Sequence, residues 1–170
     1  MKKKWLVLVA IFISVLMFSG NVRMKAETTA YSNQNFSMAI SNLQNEENQV
    51  IKLVNIQRAK YGLAPLKANI QLMNVARIKS RDMLTKNYFS HMSPTFGSTF
   101  SLLTRYGLSY AAAGENIAYG YTNAGSVMNG WMNSPGHRAN ILGKSYREIG
   151  VGAVKSSSGK IYWTQVFIKR

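Results

Sequence analysis

The chain ends on two extended runs, Glu148-Ile-Gly-Val-Gly-Ala-Val154 and Lys160-Ile-Tyr-Trp-Thr-Gln-Val-Phe-Ile168, separated by Lys155-Ser-Ser-Ser-Gly159. β-Branched and aromatic residues crowd both runs, and the polar loop between them marks a hairpin. Two strands alone are barely stable in water, so this hairpin needs other elements to cover it. Almost everything before it reads as helix. Val50, Leu53 and Val54 form the stripe of a helix opening at Glu46 and Glu47 and stopping at Gly62. A second spans about Asn69 to Asn87, with Leu72, Val75, Ala76 and Met83 inward and Arg77, Lys79, Arg81 and Lys86 mostly outside. Ser98 caps a third, Thr99 to Tyr106, which Gly107 closes. Glu115–Tyr119 is a short strand or extended turn, and Asn123–Met132 is a fourth helix broken by Pro135-Gly136. His137 to Leu142 then makes a turn or short helix. Helices first and antiparallel strands last give an α+β layered domain.

The N-terminus has a different character. Lys2, Lys3 and Lys4 precede an apolar run from Trp5 to Phe18 and a polar stretch to Ala26. That order reads as a secretory signal over residues 1–26, with an uncleaved anchor as the alternative. The run is short of the roughly 20 residues a spanning helix wants, so no stable membrane insertion is expected after cleavage. Residues 27–45 are rich in Ser, Thr, Asn and Gln without a sustained period and read as a polar spacer before a domain at 46–170. There is no cysteine, hence no lipidated Cys after the signal and no disulfide framework. Beyond residue 26, sixteen Lys and Arg face six acids. A basic exported chain is drawn to anionic cell-wall polymers or lipid headgroups, so secretion with loose wall association is the expectation. No dense basic run interleaved with aromatics points to specific nucleic-acid binding.

The chain has only two histidines, and both sit in distinctive segments. His91 lies in Tyr88-Phe-Ser-His-Met-Ser-Pro94, just past the second helix; His137 lies in Trp131-Met-Asn-Ser-Pro-Gly-His-Arg-Ala-Asn-Ile-Leu142. Gly114-Glu-Asn-Ile-Ala118, between them, carries Glu115, one of the six acids. Two imidazoles and a carboxylate can hold a divalent metal with an open position, or perform acid–base work. Ser90, Ser93 and Ser134 lie near the histidines, yet no Gly-x-Ser-x-Gly segment exists and the only Asp, Asp82, is mid-helix. A His-Glu-x-x-His zinc-peptidase pattern is also absent.

Six segments, in this order, resemble the CAP superfamily of cysteine-rich secretory, antigen-5 and pathogenesis-related-1 proteins, and within it the cysteine-free bacterial SCP-like (YkwD-like) secreted branch. They are Leu53-Val-Asn-x-x-Arg58, Tyr88-Phe-Ser-His91, Gly114-Glu-Asn-Ile-Ala118, Trp131 to Leu142, Glu148-Ile-Gly-Val-Gly152 and Tyr162-Trp-Thr-Gln-Val-Phe167. The resemblance spans about residues 48 to 168. It implies a three-layer α–β–α sandwich with an antiparallel sheet and a cleft lined by two His and two acids. His91, Glu115 and His137 match three of those four groups. The place of the second acid is held by Ser134, so the resemblance implies a cleft of His91, Glu115, Ser134 and His137 and a metal held by His91, His137 and water.

Two functions are compatible with such a site. One is an extracellular ligand-binding or interaction domain whose cleft engages a lipid, a peptide or a wall fragment. The other is a metal-dependent hydrolase of peptide or cell-wall substrates, with Zn²⁺ or another divalent cation on His91 and His137 and Glu115 as catalytic base. Glu115 fits a second role equally well, holding a histidine ring in one tautomer. Asn116, Arg138 and Asn140 read as scaffold. Trp131, Trp163 and Phe167 read as core aromatics.

Overall fold

The computed structural model describes the backbone of residues 3–170 and the side chains of residues 29, 31–35 and 37–170. The signal-segment expectation for residues 1–26 rests on side chains outside that set. The chain divides into two compact units, Met1–Ser41 and Asn42–Arg170. Helix α1 runs over Lys3–Lys60, so residues 27–45 are helical where the sequence suggested an irregular spacer. The described side chains up to Ser41 are exposed, which explains why no apolar stripe announces this stretch of helix. Among the described residues, no helix is long and apolar enough to cross a membrane.

After α1 the second unit continues through β1 (Lys67–Ala68), α2 (Ile70–Thr85), β2 (Met92–Ser93), β3 (Gly97–Ser98) and α3 (Thr99–Arg105). It closes with β4 (Ala112–Tyr119), α4 (Ala124–Asn133), α5 (Pro135–Ile141), β5 (Glu148–Lys155) and β6 (Ile161–Lys169). The helices begin where their caps dictate. Asn69 Oδ1 accepts from Gln71 N and Leu72 N, Ser98 Oγ accepts from Ser101 N, and Asn123 forms a capping box with Ser126.

Strand order in the main sheet is β1-β5-β6-β4, and β2 pairs with β3 as a separate ribbon. The expected antiparallel sheet is correct for β5, β6 and β4, whereas the two-residue β1 adds a parallel edge to β5. Strand alternation then sorts residues to two faces. Val166 and Ile168 pack with Leu72, Val75 and Ala76 of α2 and with Leu102 and Leu103 of α3. Trp163 and Phe167 pack with Val50 and Val54 of α1, Trp131 of α4 and Ile141 of α5. Helices thus cover both faces, giving the α–β–α layers.

Three polar devices lock these layers. Arg58, 1% exposed, donates from Nε to Ala64 O (2.9 Å) and from one Nη to both Ile141 O and Gly143 O (2.9 Å each), tying α1 to the end of α5. Asn55 exchanges two bonds with the backbone of Leu66. Glu47 accepts from Ala153 N (2.9 Å) on the outer edge of β5 and pairs with Arg77, so a helix carboxylate satisfies an edge that would otherwise invite another strand.

Helix α2 lies directly on β5 because Gly150 and Gly152 offer it no side chain. A Cβ at Gly152 would overlap the backbone of Ala76 and Arg77, and Ser80 Oγ donates to Gly152 O across this contact at 3.0 Å. Backbone cannot step aside as a flexible side chain can. Gly152→Ala is therefore expected to destabilise the domain by about 3 kcal/mol, read as a lower urea midpoint with unchanged slope.

Candidate functional site

His91 reaches its place by way of a buried lysine. Helix α2 ends at Thr85, and Asn87 adopts a left-handed φ of 52° that turns the chain back. Under the returning loop lies Lys79, 0% exposed. Its ammonium donates to Ser90 O (2.7 Å), His91 O (3.0 Å) and Tyr88 Oη (3.1 Å), which uses all three N–H donors. Tyr88 Oη in turn donates to Asp82 Oδ2 (2.5 Å), which also accepts from Ser93 Oγ (2.6 Å), while Thr95 Oγ1 donates to Asp82 Oδ1 (2.8 Å). Loop 88–95 is thus strapped to one turn of α2 by an ammonium and a carboxylate.

Their titration follows from these contacts. Burial lowers the pKa of Lys79, while the charges of Glu115 and Asp82 pull it upward. Burial alone would raise that of Asp82, but hydrogen bonds from Ser93, Tyr88 and Thr95, with the Lys79 charge, bring it below the ordinary carboxylate value. Burial and the bond to Asp82 raise the Tyr88 phenol.

Glu115 stands on β4 with its side chain toward α3. His91 Nδ1 lies 2.6 Å from Glu115 Oε1, and Thr99 Oγ1 donates to Glu115 Oε2. The carboxylate is 4% exposed and the imidazole 60%, so the pair is a buried acid holding a solvent-facing ring. A carboxylate only accepts, which puts the proton on His91 Nδ1 and leaves Nε2 as the outward nitrogen. Both residues line a cleft of about 330 Å³ whose walls include Met92, Thr99, Phe100, Ala113, Gly114 and Asn140.

The other two expected cleft residues, Ser134 and His137, belong to the start of α5. Ser134 caps α5 without a side-chain bond, and neither it nor His137 is among the residues lining this cleft. His137 is half-buried on α5. Burial lowers its pKa first, and the charge of His91 lowers it further, so the two imidazoles sense each other. Among the described residues, no three His, Cys, Asp or Glu side chains converge to hold a metal ion. Glu115 is already engaged by His91 and Thr99, which leaves the two imidazoles as the side-chain donors not committed to a carboxylate's role.

Asparagines connect α5 to the cleft. Asn116 Nδ2 donates to His137 O (3.0 Å) and Gln165 Oε1 (2.9 Å), and Asn140 Nδ2 donates to Glu115 O (3.0 Å) and Asn116 Oδ1 (2.8 Å). A Cβ at Gly114 would crowd Tyr146 Oη and Asn140 Oδ1 at this crossing. The sequence reading missed Lys79, Thr99 and Asn140 as parts of the site. For Lys79 the signal was present: it falls three and four residues beyond Ala76 and Val75 and four before Met83, inside the apolar stripe rather than outside it.

Two outcomes follow from these charges. Lys79→Met would remove the three bonds that hold loop 88–95 and the positive charge facing Asp82, so a loss of about 3 kcal/mol is expected by urea unfolding, together with broadening of the His91 ring signals in NMR spectra. An unfolded imidazole titrates near about 6.5, and the folded His137 takes its proton only at lower pH. Across that interval the unfolded chain binds the extra proton, so stability should fall as pH drops through it, and His137→Gln should flatten the slope.

Residues 51–167 match the model of the cysteine-rich secretory protein family, CAP. The chain is 46% identical over 148 residues to YkwD, an uncharacterized protein of Bacillus subtilis (strain 168), covering 87% of this chain and 56% of that protein. It is 41% identical over 124 residues to the uncharacterized membrane protein YlbC of the same strain, covering 73% of this chain and 34% of YlbC. It therefore spans about half or less of these relatives' lengths. A crystal structure of an extracellular SCP-domain protein from Bacillus anthracis str. Ames superimposes with a TM-score of 0.71 at 36% identity, over 75% of this chain and 41% of that one. An outer surface protein of Borrelia burgdorferi shares the fold alone, with a TM-score of 0.70 at 22% identity over 75% of this chain and 95% of that one. With its three layers, its His91–Glu115 pair and its cysteine-free core, the chain belongs to the cysteine-rich secretory protein (CAP) family, as a domain of bacterial SCP type.

Proposed function

We propose that this domain is an extracellular ligand-binding module rather than a hydrolase. The observation that carries the reading is the state of Glu115: one oxygen is held by His91 and the other by Thr99, in a carboxylate only 4% exposed. A general base needs a lone pair aimed at a substrate or a water in the cleft. Glu115 is instead built to fix the His91 ring in one tautomer and present Nε2 outward. The resemblance to an extracellular SCP-domain protein supports export, as does the signal-like segment at residues 1–26. The basic charge supports loose association with anionic wall polymers, while a lipid or peptide remains an alternative occupant of the cleft.

A carboxylate-backed histidine is also the arrangement that tunes a metal ligand. His91 and His137 would hold Zn²⁺ or a similar divalent cation weakly, with water completing its coordination. Such an ion would supply polarisation of a bound ligand. Zinc titration calorimetry on the chain, beside the His91→Ala/His137→Ala double variant, should give a weak one-to-one heat that the double variant loses. Zinc-dependent turnover of a peptide or wall substrate, abolished by Glu115→Gln, would overturn the binding reading.

A further inference from the structure

Resting on the ligand-binding reading, the polar atoms of the cleft narrow the chemistry of what enters it. Asn140 has only one orientation open to it. Both its N–H groups are used, on Glu115 O at 3.0 Å and on Asn116 Oδ1 at 2.8 Å. A backbone carbonyl only accepts, and Asn116 Oδ1 is fixed as an acceptor because Asn116 Nδ2 donates to His137 O at 3.0 Å. The amide oxygen of Asn140 therefore lies over Gly114, about where a side chain there would stand, and both residues line the cleft. In the neutral ring His91 Nε2 is the second acceptor, since Nδ1 faces Glu115 Oε1 at 2.6 Å. Glu115, whose oxygens are already held by His91 and Thr99, fixes this pair of acceptors from behind. A ligand must answer them with donors, and an anion has none to give.

Charge and edge geometry narrow the class further. The Lys79 ammonium, buried behind the His91 loop, faces both Glu115 and Asp82 and partly offsets their charge, so neutral donors such as hydroxyls are compatible with the site. Strand β4 ends the sheet, yet its outward carbonyls are already taken. Tyr146 Oη donates to Ala113 O (3.3 Å), Asn140 Nδ2 to Glu115 O (3.0 Å) and Trp131 Nε1 to Ile117 O (3.3 Å). An extended peptide adding to this edge would have to share these acceptors with the side-chain donors already on them. A volume of about 330 Å³ lies at the small end for ligand sites and suits one or two rings rather than a chain. Phe100, 38% exposed and tilted against Tyr110 at 6.3 Å, supplies a flat apolar wall.

We infer that the cleft takes a neutral saccharide, whose hydroxyls donate to Asn140 Oδ1 and His91 Nε2 while an apolar ring face lies on Phe100. The probe is the β-linked disaccharide of N-acetylglucosamine, titrated into the ¹⁵N-labelled full chain. Saturable shifts at Gly114, Glu115 and the Asn140 side-chain amide are expected. The permethylated disaccharide, which accepts but cannot donate, should leave those signals in place. His91→Ala, with its folded state checked by the amide spectrum, should weaken binding roughly three- to tenfold, the worth of one hydrogen bond. Asn140→Ala should abolish it, with the folded state checked by its amide spectrum. Equal binding of the permethylated sugar, or no shift at any concentration of the free sugar, would overturn the saccharide assignment. Shifts at the same amides from a blocked alanine dipeptide, with the sugar silent, would likewise overturn it while leaving the ligand-binding reading intact.

Discussion

The ammonium of Lys79 sets the terms for the whole site. An ion cut off from water must find a partner for each of its N–H groups, and Lys79 finds all of its partners in or beside one loop. Two of those partners are main-chain carbonyls, one of them on His91 itself, so the position of the histidine backbone is an electrostatic consequence of α2. Asp82, one turn further along, returns the favour from the other side by collecting Tyr88, Ser93 and Thr95. Loops are ordinarily the mobile part of a domain. Here two charges on the most deeply packed helix make loop 88–95 an extension of the core.

That helix can carry the site only because it sits so close to the sheet. Gly150 and Gly152 let α2 settle on β5, and its residues then meet β6 and the His91 loop at fixed depth. On the opposite face the same role falls to polar side chains. Arg58 clamps the end of α5, Asn116 takes the carbonyl of His137, and Asn140 takes that of Glu115. One histidine is therefore anchored through the α2 face and the other through the α5 face. The sheet between them, through the neighbouring residues Glu115 and Asn116, is where the two systems join.

Much of this was legible in the sequence. The cap Ser98, the helix starts near Asn69 and Asn123, the apolar stripe of α2 and the terminal hairpin are local signals, and each produced the element expected within a few residues. The pairing of His91 with Glu115 was foreshadowed by their rarity. Non-local geometry was not legible. The two-residue strand β1 has no pattern of its own and exists because β5 offers it an edge. Lys79 carries a charge, and charge argued for a solvent position; only three convergent acceptors, each brought by tertiary structure, make its burial tolerable. Residues 27–45 are helical without an apolar stripe, which pattern reading cannot distinguish from a polar linker.

The basic character of the chain and the chemistry of its cleft point in different directions, and distance decides which applies where. Net positive charge acts over about 8 Å in physiological salt, enough to bring the molecule to an anionic surface but carrying no geometry. Within the cleft the nearest groups are a carboxylate, an imidazole nitrogen with its lone pair outward and an amide oxygen, and their preference for donors outweighs a screened field from surface lysines. A domain so arranged can be held at a charged polymer by its exterior while its cleft remains open to a neutral group. The surface then sets where the protein stays, and the cleft sets what it recognises there.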